Sequence, residues 1–374
     1  MRKMLGLEKT MKRITSILLL IITLFTLVGC KSKYPPVEST EEEAKTVYTL
    51  EYGGKRYEIK YELYRALFLS NRSTVDGGDR SVWEGENKDA YIAEINEIIK
   101  EKAAKIYSAF HLAKSLDIDP YSKEIDQKIQ QYIELSVDGG GDSIGFRGDY
   151  DAYLMSLKDS GLNYAVQELM LRYSITLEKI DEYYKGKEDD ALGLIDSKYS
   201  LSDEELRAYY FGDDCVRVLH AYMQDGVGGD TKAKMESIKA GIASSESDLD
   251  AALYIINNTL VTPTDLIINK KVSGLTIGRY ALSEEYADYS ASTFSLSPGE
   301  TGEVVEVNDG TKGYYVIRAL EKTEEHYLLC TDEVRQSFFD NLISKSLIDI
   351  SKRLCESAVF EKDYLEIDHA RISI

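Results

Sequence analysis

Four cysteines, at 30, 215, 330 and 355, and four histidines, at 111, 220, 326 and 369, have the widest chemical reach in this chain. No CxxC pair occurs and the imidazoles are scattered, so the spacing encodes neither a thiolate zinc site nor a His-rich metal centre, and no cofactor is called for. Cys30 differs in its setting. It follows Leu27-Val28-Gly29, the end of an uninterrupted apolar run from Ile14 that comes after Lys12-Arg13. That run is too short to cross a bilayer of ~30 Å as a lone helix, and it ends on the small residue a signal peptidase requires. A buried core helix would carry a polar face, and this run has none. The run therefore reads as a cleavable signal segment that ends just before Cys30. Met11-Lys12-Arg13 alone makes a normal start, so Met11 is a second candidate for the first residue.

Leu, Val, Gly and Cys at positions 27 to 30 resemble the lipobox of bacterial lipoproteins, which implies a signal peptide over 1–29, a diacylglycerol on the Cys30 thiol that replaces the removed helix as the anchor, and a mature chain held at the extracytoplasmic face of the cell membrane. A net charge of −20 repels nucleic acid and anionic headgroups, and no Lys/Arg cluster follows residue 13, so a phosphate-tracking role is disfavoured. Cys215, Cys330 and Cys355 allow at most one disulfide with one thiol left over.

Residues 30–46 are polar, contain Pro35-Pro36 and Glu41-Glu42-Glu43, and lack apolar periodicity, which predicts a disordered tether. Two Tyr-rich runs around Gly53-Gly54 predict a hairpin. From Tyr61 the spacing becomes helical: Ile92, Ile95, Ile99, Ala103 and Ile106 in one long segment, then Ile125, Ile129 and Ile133, then Tyr153, Leu154 and Leu157. The Asp/Gly stretches near 76 and 139 lack the alternating carboxylates of an EF-hand and read as plain loops. Ser202-Asp203-Glu204-Glu205 is a capping box that starts a short helix. Residues 209–323 read as mixed: strand at Cys215 to Met223, helices at Lys232 to Ala243 and Asp248 to Ile256, and two strands around Asn308-Asp309-Gly310. After Thr323 the chain is helical again, with Val334, Phe338, Leu342, Ser346 and Ile350 on one face. The expected class is α+β: helical parts over 47–208 and 324–374 form one domain, and 209–323 is inserted into it.

Val216-Arg217-Val218-Leu219-His220-Ala221 resembles the first strand of the parvulin peptidyl-prolyl isomerases. Thr276-Ile277-Gly278-Arg279-Tyr280, the stretch Phe294 to Gly299-Glu300, and Gly313-Tyr314-Tyr315-Val316-Ile317 follow in the order of that family's later signatures. With the lipobox and the flanking helices, the whole is similar to extracellular foldase lipoproteins of the PrsA type. The resemblance implies a helical chaperone cradle for unfolded or newly secreted polypeptides around an inserted isomerase domain. It places His220 on the first catalytic histidine, Tyr315 where the second histidine stands, and Asn258 or Thr259 at the third polar position. Leu282, Tyr286 and Phe294 fall on the apolar pocket that grips proline. The stretch from Tyr286 to Phe294 is about three residues longer than is usual for the family, so Tyr289 is an alternative to Tyr286. Where the family has imidazole, Tyr315 offers a phenol of ordinary pKa ~10, so isomerase activity is expected to be weak or absent.

Three functions compete on these grounds: a foldase with a working isomerase, a holdase of the same architecture with a dead site, and a surface lipoprotein that binds a small ligand or links envelope components. A composition of 28 Tyr against one Trp suits adaptable contact with unfolded chains and favours the first two. A solute-binding lipoprotein would show repeated βα units, and the helical stretch 61–185 does not. The sequence leaves open whether two copies pair as a homodimer.

Overall fold

The computed structural model describes residues 33–372 except 141–143, 190–192, 196, 227–228, 260, 262–265, 269–270 and 362–366. The expected signal peptide and Cys30 lie outside the described residues. No helix among the described residues is long and apolar enough to cross a membrane. The fold is α+β and mainly helical, in two compact units. Residues 33–186 and 346–372 make a helical unit, and 187–345 make a sheet unit.

The helical unit opens with strands β1 (Thr46–Tyr52) and β2 (Lys55–Lys60), paired antiparallel around Gly53 and Gly54, whose φ of 58° and 72° are the left-handed values the turn demands. Five helices follow: α1 (Tyr61–Asp76), α2 (Lys88–Ser115), α3 (Lys123–Asp138), α4 (Tyr150–Asp159) and α5 (Tyr164–Lys185). Ser122, Asp149 and Asn163 start three of them by accepting from the backbone N–H three residues on. Ile95, Ile99, Ala103, Ile106 and Phe110 form one buried stripe of α2 against Leu63, Phe68 and Val166. A second cluster joins Ile125, Ile129, Ile133 and Val137 of α3 to Tyr153, Leu157 and Ile175. Each fully buried Ile or Phe is worth about 1.5–3 kcal/mol, so these stripes hold the helices together.

The expected tether needs correction at its described start. Tyr34 is only 6% exposed and packs in the α3 cluster. Its hydroxyl donates to Asp138, Lys33 pairs with the same carboxylate at 2.8 Å, and Tyr150 donates to the Pro35 carbonyl at 2.6 Å. One buried aromatic fixes a segment whose average composition reads as disordered.

The sheet unit contains the antiparallel pair β3 (Lys187–Asp189) and β4 (Gly193–Ile195), then α6 (Asp203–Phe211), which begins with the expected Ser202–Glu205 capping box. Next come β5 (Cys215–Gln224), α7 (Thr231–Ala243), α8 (Asp248–Asn258), the small strands β6 (Ile267–Ile268) and β7 (Lys271–Val272), and β8 (Leu275–Gly278). Then follow α9 (Ala287–Ser295), β9 (Val305–Asn308), β10 (Lys312–Leu320) and α10 (Glu324–Leu329). The main sheet is antiparallel in the order β8-β5-β10-β9. The long helix α11 (Thr331–Glu356) begins in the sheet unit, and from Ser346 it belongs to the helical unit, where β11 (Val359–Phe360) pairs with β1.

The unit boundaries at 186 and 345 differ from the expected 208 and 323. The reason is packing: Leu206, Tyr209 and Tyr210 of α6 share a cluster with Cys215, Tyr327 and Val334, so both flanking helices close the sheet unit.

Candidate functional site

Alternation along the two central strands sorts their side chains by face. Leu219 and Ala221 of β5, with Tyr314 and Val316 of β10, pack under α7 and α8 through Met235, Ile238, Ile242, Ala251 and Ile255. Val218 of β5, with Tyr315 and Ile317 of β10, points to the other face, where α9 lies. His220 and Tyr222 share that second face by parity. The register pairs His220 with Ile317 and Tyr222 with Tyr315, so His220 and Tyr315 are diagonal neighbours across the middle of the sheet. Their rings are 5.4 Å apart.

Helix α9 sets Tyr289 on top of this pair. Its hydroxyl is 2.8 Å from His220 Nδ1, and its ring stands edge-on to Tyr315 at 5.0 Å. Tyr286, just before α9, meets Tyr315 at 6.2 Å, and its hydroxyl donates to Asp309 at 2.9 Å. Tyr222 lies against Tyr315 at 4.8 Å. The result is a hydrogen-bonded aromatic cluster, with His220 4%, Tyr289 3% and Tyr315 3% exposed.

Burial decides the charge state of the imidazole and of the phenols of Tyr286, Tyr289 and Tyr315. It pulls the His220 imidazole down to about 3, leaving a neutral ring at any physiological pH. It lifts the phenols of Tyr289 and Tyr315 far above their ordinary range, Tyr315 further through its contact with Tyr286, and it lifts Tyr286 to about 12. The cluster therefore offers neutral hydrogen-bonding groups and aromatic faces. None of these four groups is an anionic nucleophile or a poised general base. The buried thiols are equally inert, Cys215 being raised to about 12 and Cys330 to about 11 by desolvation.

Of the residues expected at the site, His220, Tyr315 and Tyr286 come together, and Leu282 and Phe294 pack half-buried against the same cluster. The Arg279 guanidinium covers the Phe294 ring at 4.3 Å, so that ring already has a partner. Thr259 does not join them. It caps α8, whose buried face belongs to the opposite side of the sheet, and its hydroxyl donates to the Ile255 carbonyl at 2.8 Å. Neighbouring Asn258 is likewise spent on the Tyr254 carbonyl. Tyr222 and Asp309 also join the cluster, outside the set of residues that the parvulin resemblance implies. Strand parity with His220 was enough to find Tyr222; Asp309 comes from the β9–β10 turn and has no local signal. Among the described residues, no group of three or more His, Cys, Asp and Glu is placed to hold a metal ion.

No protein-family profile matches this chain, and no curated protein matches it. Solved structures do align. The foldase protein PrsA from Streptococcus pneumoniae str. Canada MDR_19A is 15% identical, over 72% of this chain and 88% of that one, with a TM-score of 0.29. The foldase protein PrsA from Lactococcus lactis is 13% identical over 88% and 100%, with a TM-score of 0.25. PrsA from Bacillus subtilis is 15% identical over 87% and 99%, with a TM-score of 0.23.

Proposed function

We propose that this chain is a lipid-anchored extracytoplasmic foldase: its helical unit holds unfolded secreted polypeptides, and its sheet unit is a parvulin-like prolyl isomerase with a closed, weak site. The observation that carries the reading is the placement of His220 against Tyr315 across adjacent central strands, under a helix bearing Tyr286 and Tyr289. Isomerisation needs no covalent step. Rotation about X–Pro faces a barrier of ~18–20 kcal/mol from amide resonance, so a site has only to favour the twisted amide over the planar one. Neutral donors beneath an apolar ring pocket are adequate for that.

The proline ring would have to lie where Tyr289 now lies. Moving Tyr289 breaks its hydrogen bond to His220, worth about 0.5–1.5 kcal/mol, and unburies an aromatic ring, worth about 1.5–3 kcal/mol. Together these slow catalysis by ~30-fold or more. The soluble chain from Lys31 should suppress aggregation of a reduced, unfolded secreted protein while accelerating X–Pro isomerisation of a tetrapeptide only slightly. Uncatalysed isomerisation takes tens of seconds, so a modest rate is measurable. Tyr289→Ala should raise the rate, and adding His220→Ala should abolish it. Holding without isomerisation in either variant moves the reading to a holdase with a dead site. Neither activity leaves a ligand-binding or structural surface lipoprotein. For the anchor, Cys30→Ala should release the protein from the membrane fraction or leave it unprocessed; unchanged detergent-dependent partitioning refutes lipidation there.

A further inference from the structure

Beyond α11, the described stretches 357–361 and 367–372 are seated on the helical unit in the way a bound peptide is seated. Val359 and Phe360 add to the outer edge of β1, opposite Thr49 and Tyr48. The Glu361 N–H donates to the Val47 carbonyl at 2.9 Å, and the Ser357 hydroxyl accepts from the Glu51 N–H at 2.8 Å. Main-chain bonds to a sheet edge give affinity without regard to sequence, and one anchored side chain adds selectivity. Here the anchor is His369. It is 6% exposed and enters a box walled by Tyr64 and Phe68 of α1 and by Trp83. Its ring lies 21° from parallel to the Trp83 ring, and its Nε2 is 2.8 Å from the Tyr64 hydroxyl. That hydroxyl donates to Asn96 at 2.7 Å, so it accepts from His369.

The walls of this box are fixed by contacts independent of the chain end. Trp83 donates its indole N–H to Asp76 at 2.9 Å, and Asp79 caps the turn Arg80–Trp83. The seated strand, by contrast, is two residues long and poorly covered, Val359 being 60% exposed. The edge strand is thus lightly fastened, whereas His369 and Ile372, the latter 4% exposed in the core cluster of the helical unit, hold the far end.

We propose that the outer edge of β1 and the Tyr64–Phe68–Trp83 box form a polypeptide-binding site, filled in this structure by the chain's own end as an intramolecular ligand. An extended client segment with a histidine or aromatic side chain displaces it. The inference names the client surface of the proposed chaperone and rests on that reading.

The test uses a fluorescein-labelled peptide of residues 357–372 and the soluble chain from Lys31. A tethered end competes at an effective concentration of order millimolar, so wild type should bind the peptide weakly. His369→Ala and, separately, Phe360→Asp loosen the end at its two contacts, and each folded variant should bind the peptide at least ~10-fold more tightly. Trp83 is the only tryptophan in the chain, so its emission should change as the peptide enters the box. A peptide with Ala in place of His369 should not compete. Equal binding by wild type and variants, or none by a folded variant, overturns the proposal. So does wild type exchanging ends between copies into a dimer that excludes the peptide. If neither variant folds, hydrogen exchange on wild type decides: the Glu51 and Glu361 amides should exchange faster when an unfolded client is added, and unchanged rates overturn the proposal. Aggregation suppression that persists without peptide binding leaves the chaperone reading standing and removes only this site.

Discussion

His220 and His326 are both buried neutral, and that ties the sheet unit to pH. Desolvation pulls His220 to about 3 and His326 to about 4, the latter also beside the Arg217 cation and bonded through Nδ1 to the Tyr210 hydroxyl at 2.7 Å. In the unfolded chain both titrate near ~6.5. The unfolded state therefore binds protons that the folded state refuses. Stability is complete above about 6.5 and falls as pH drops towards 4, by up to ~1.4 kcal/mol per pH unit for each imidazole. Urea unfolding followed by near-ultraviolet tyrosine dichroism should show a lower midpoint at pH 5 than at pH 7, and a His220→Gln/His326→Gln variant should flatten that dependence. A midpoint unchanged between the two pH values would show that these rings take up protons in the fold as readily as in the unfolded chain. At this scale the sequence was partly legible. The apolar strand around His220 fixed its face, whereas the third polar position could not be read because which side of the sheet α8 covers is a tertiary fact that Thr259 does not carry.

At the scale of elements, local chemistry located most helices and strands. Gly53-Gly54, the Ser202–Glu205 box and the isoleucine stripes of α2 and α3 each act through neighbours within one turn, which is why they could be read. Tyr34 acts through Asp138 and Tyr150, more than a hundred residues on, and no window sees it. Its packing makes a specific expectation. Tyr34→Ala removes a buried ring and a hydrogen bond to a carboxylate, so it should lower the stability of the helical unit by about 1.5–4 kcal/mol, read as a shift of the urea midpoint in Trp83 emission. It should also expose 35–45 to limited proteolysis. An unchanged midpoint with unchanged cleavage would restore the disordered tether.

For the whole molecule, the question is where the sheet unit ends, and packing answers it differently from texture. The periodicity change near residue 209 marks where strands begin, but a domain closes where its apolar faces are covered. Beyond the two faces of the sheet, a third cluster joins Leu206 and Tyr210 of α6, Cys215 of β5, Tyr327 of α10 and Val334 of α11. Polar contacts follow the same path: Arg207 pairs with Asp203 and Glu324, and Tyr327 donates to Asp203 at 2.6 Å. Cutting at 209 and 323 removes Leu206, Tyr327 and Val334, at about 1.5–3 kcal/mol each, a sum comparable with the 5–15 kcal/mol that holds an ordinary domain together. The segment 187–345 expressed alone should therefore give dispersed amide resonances and a cooperative thermal transition, while 209–323 should melt far lower or remain unfolded. Equal melting temperatures for the two fragments would mean that the flanking helices add nothing, and that the change of texture in the sequence is the true boundary.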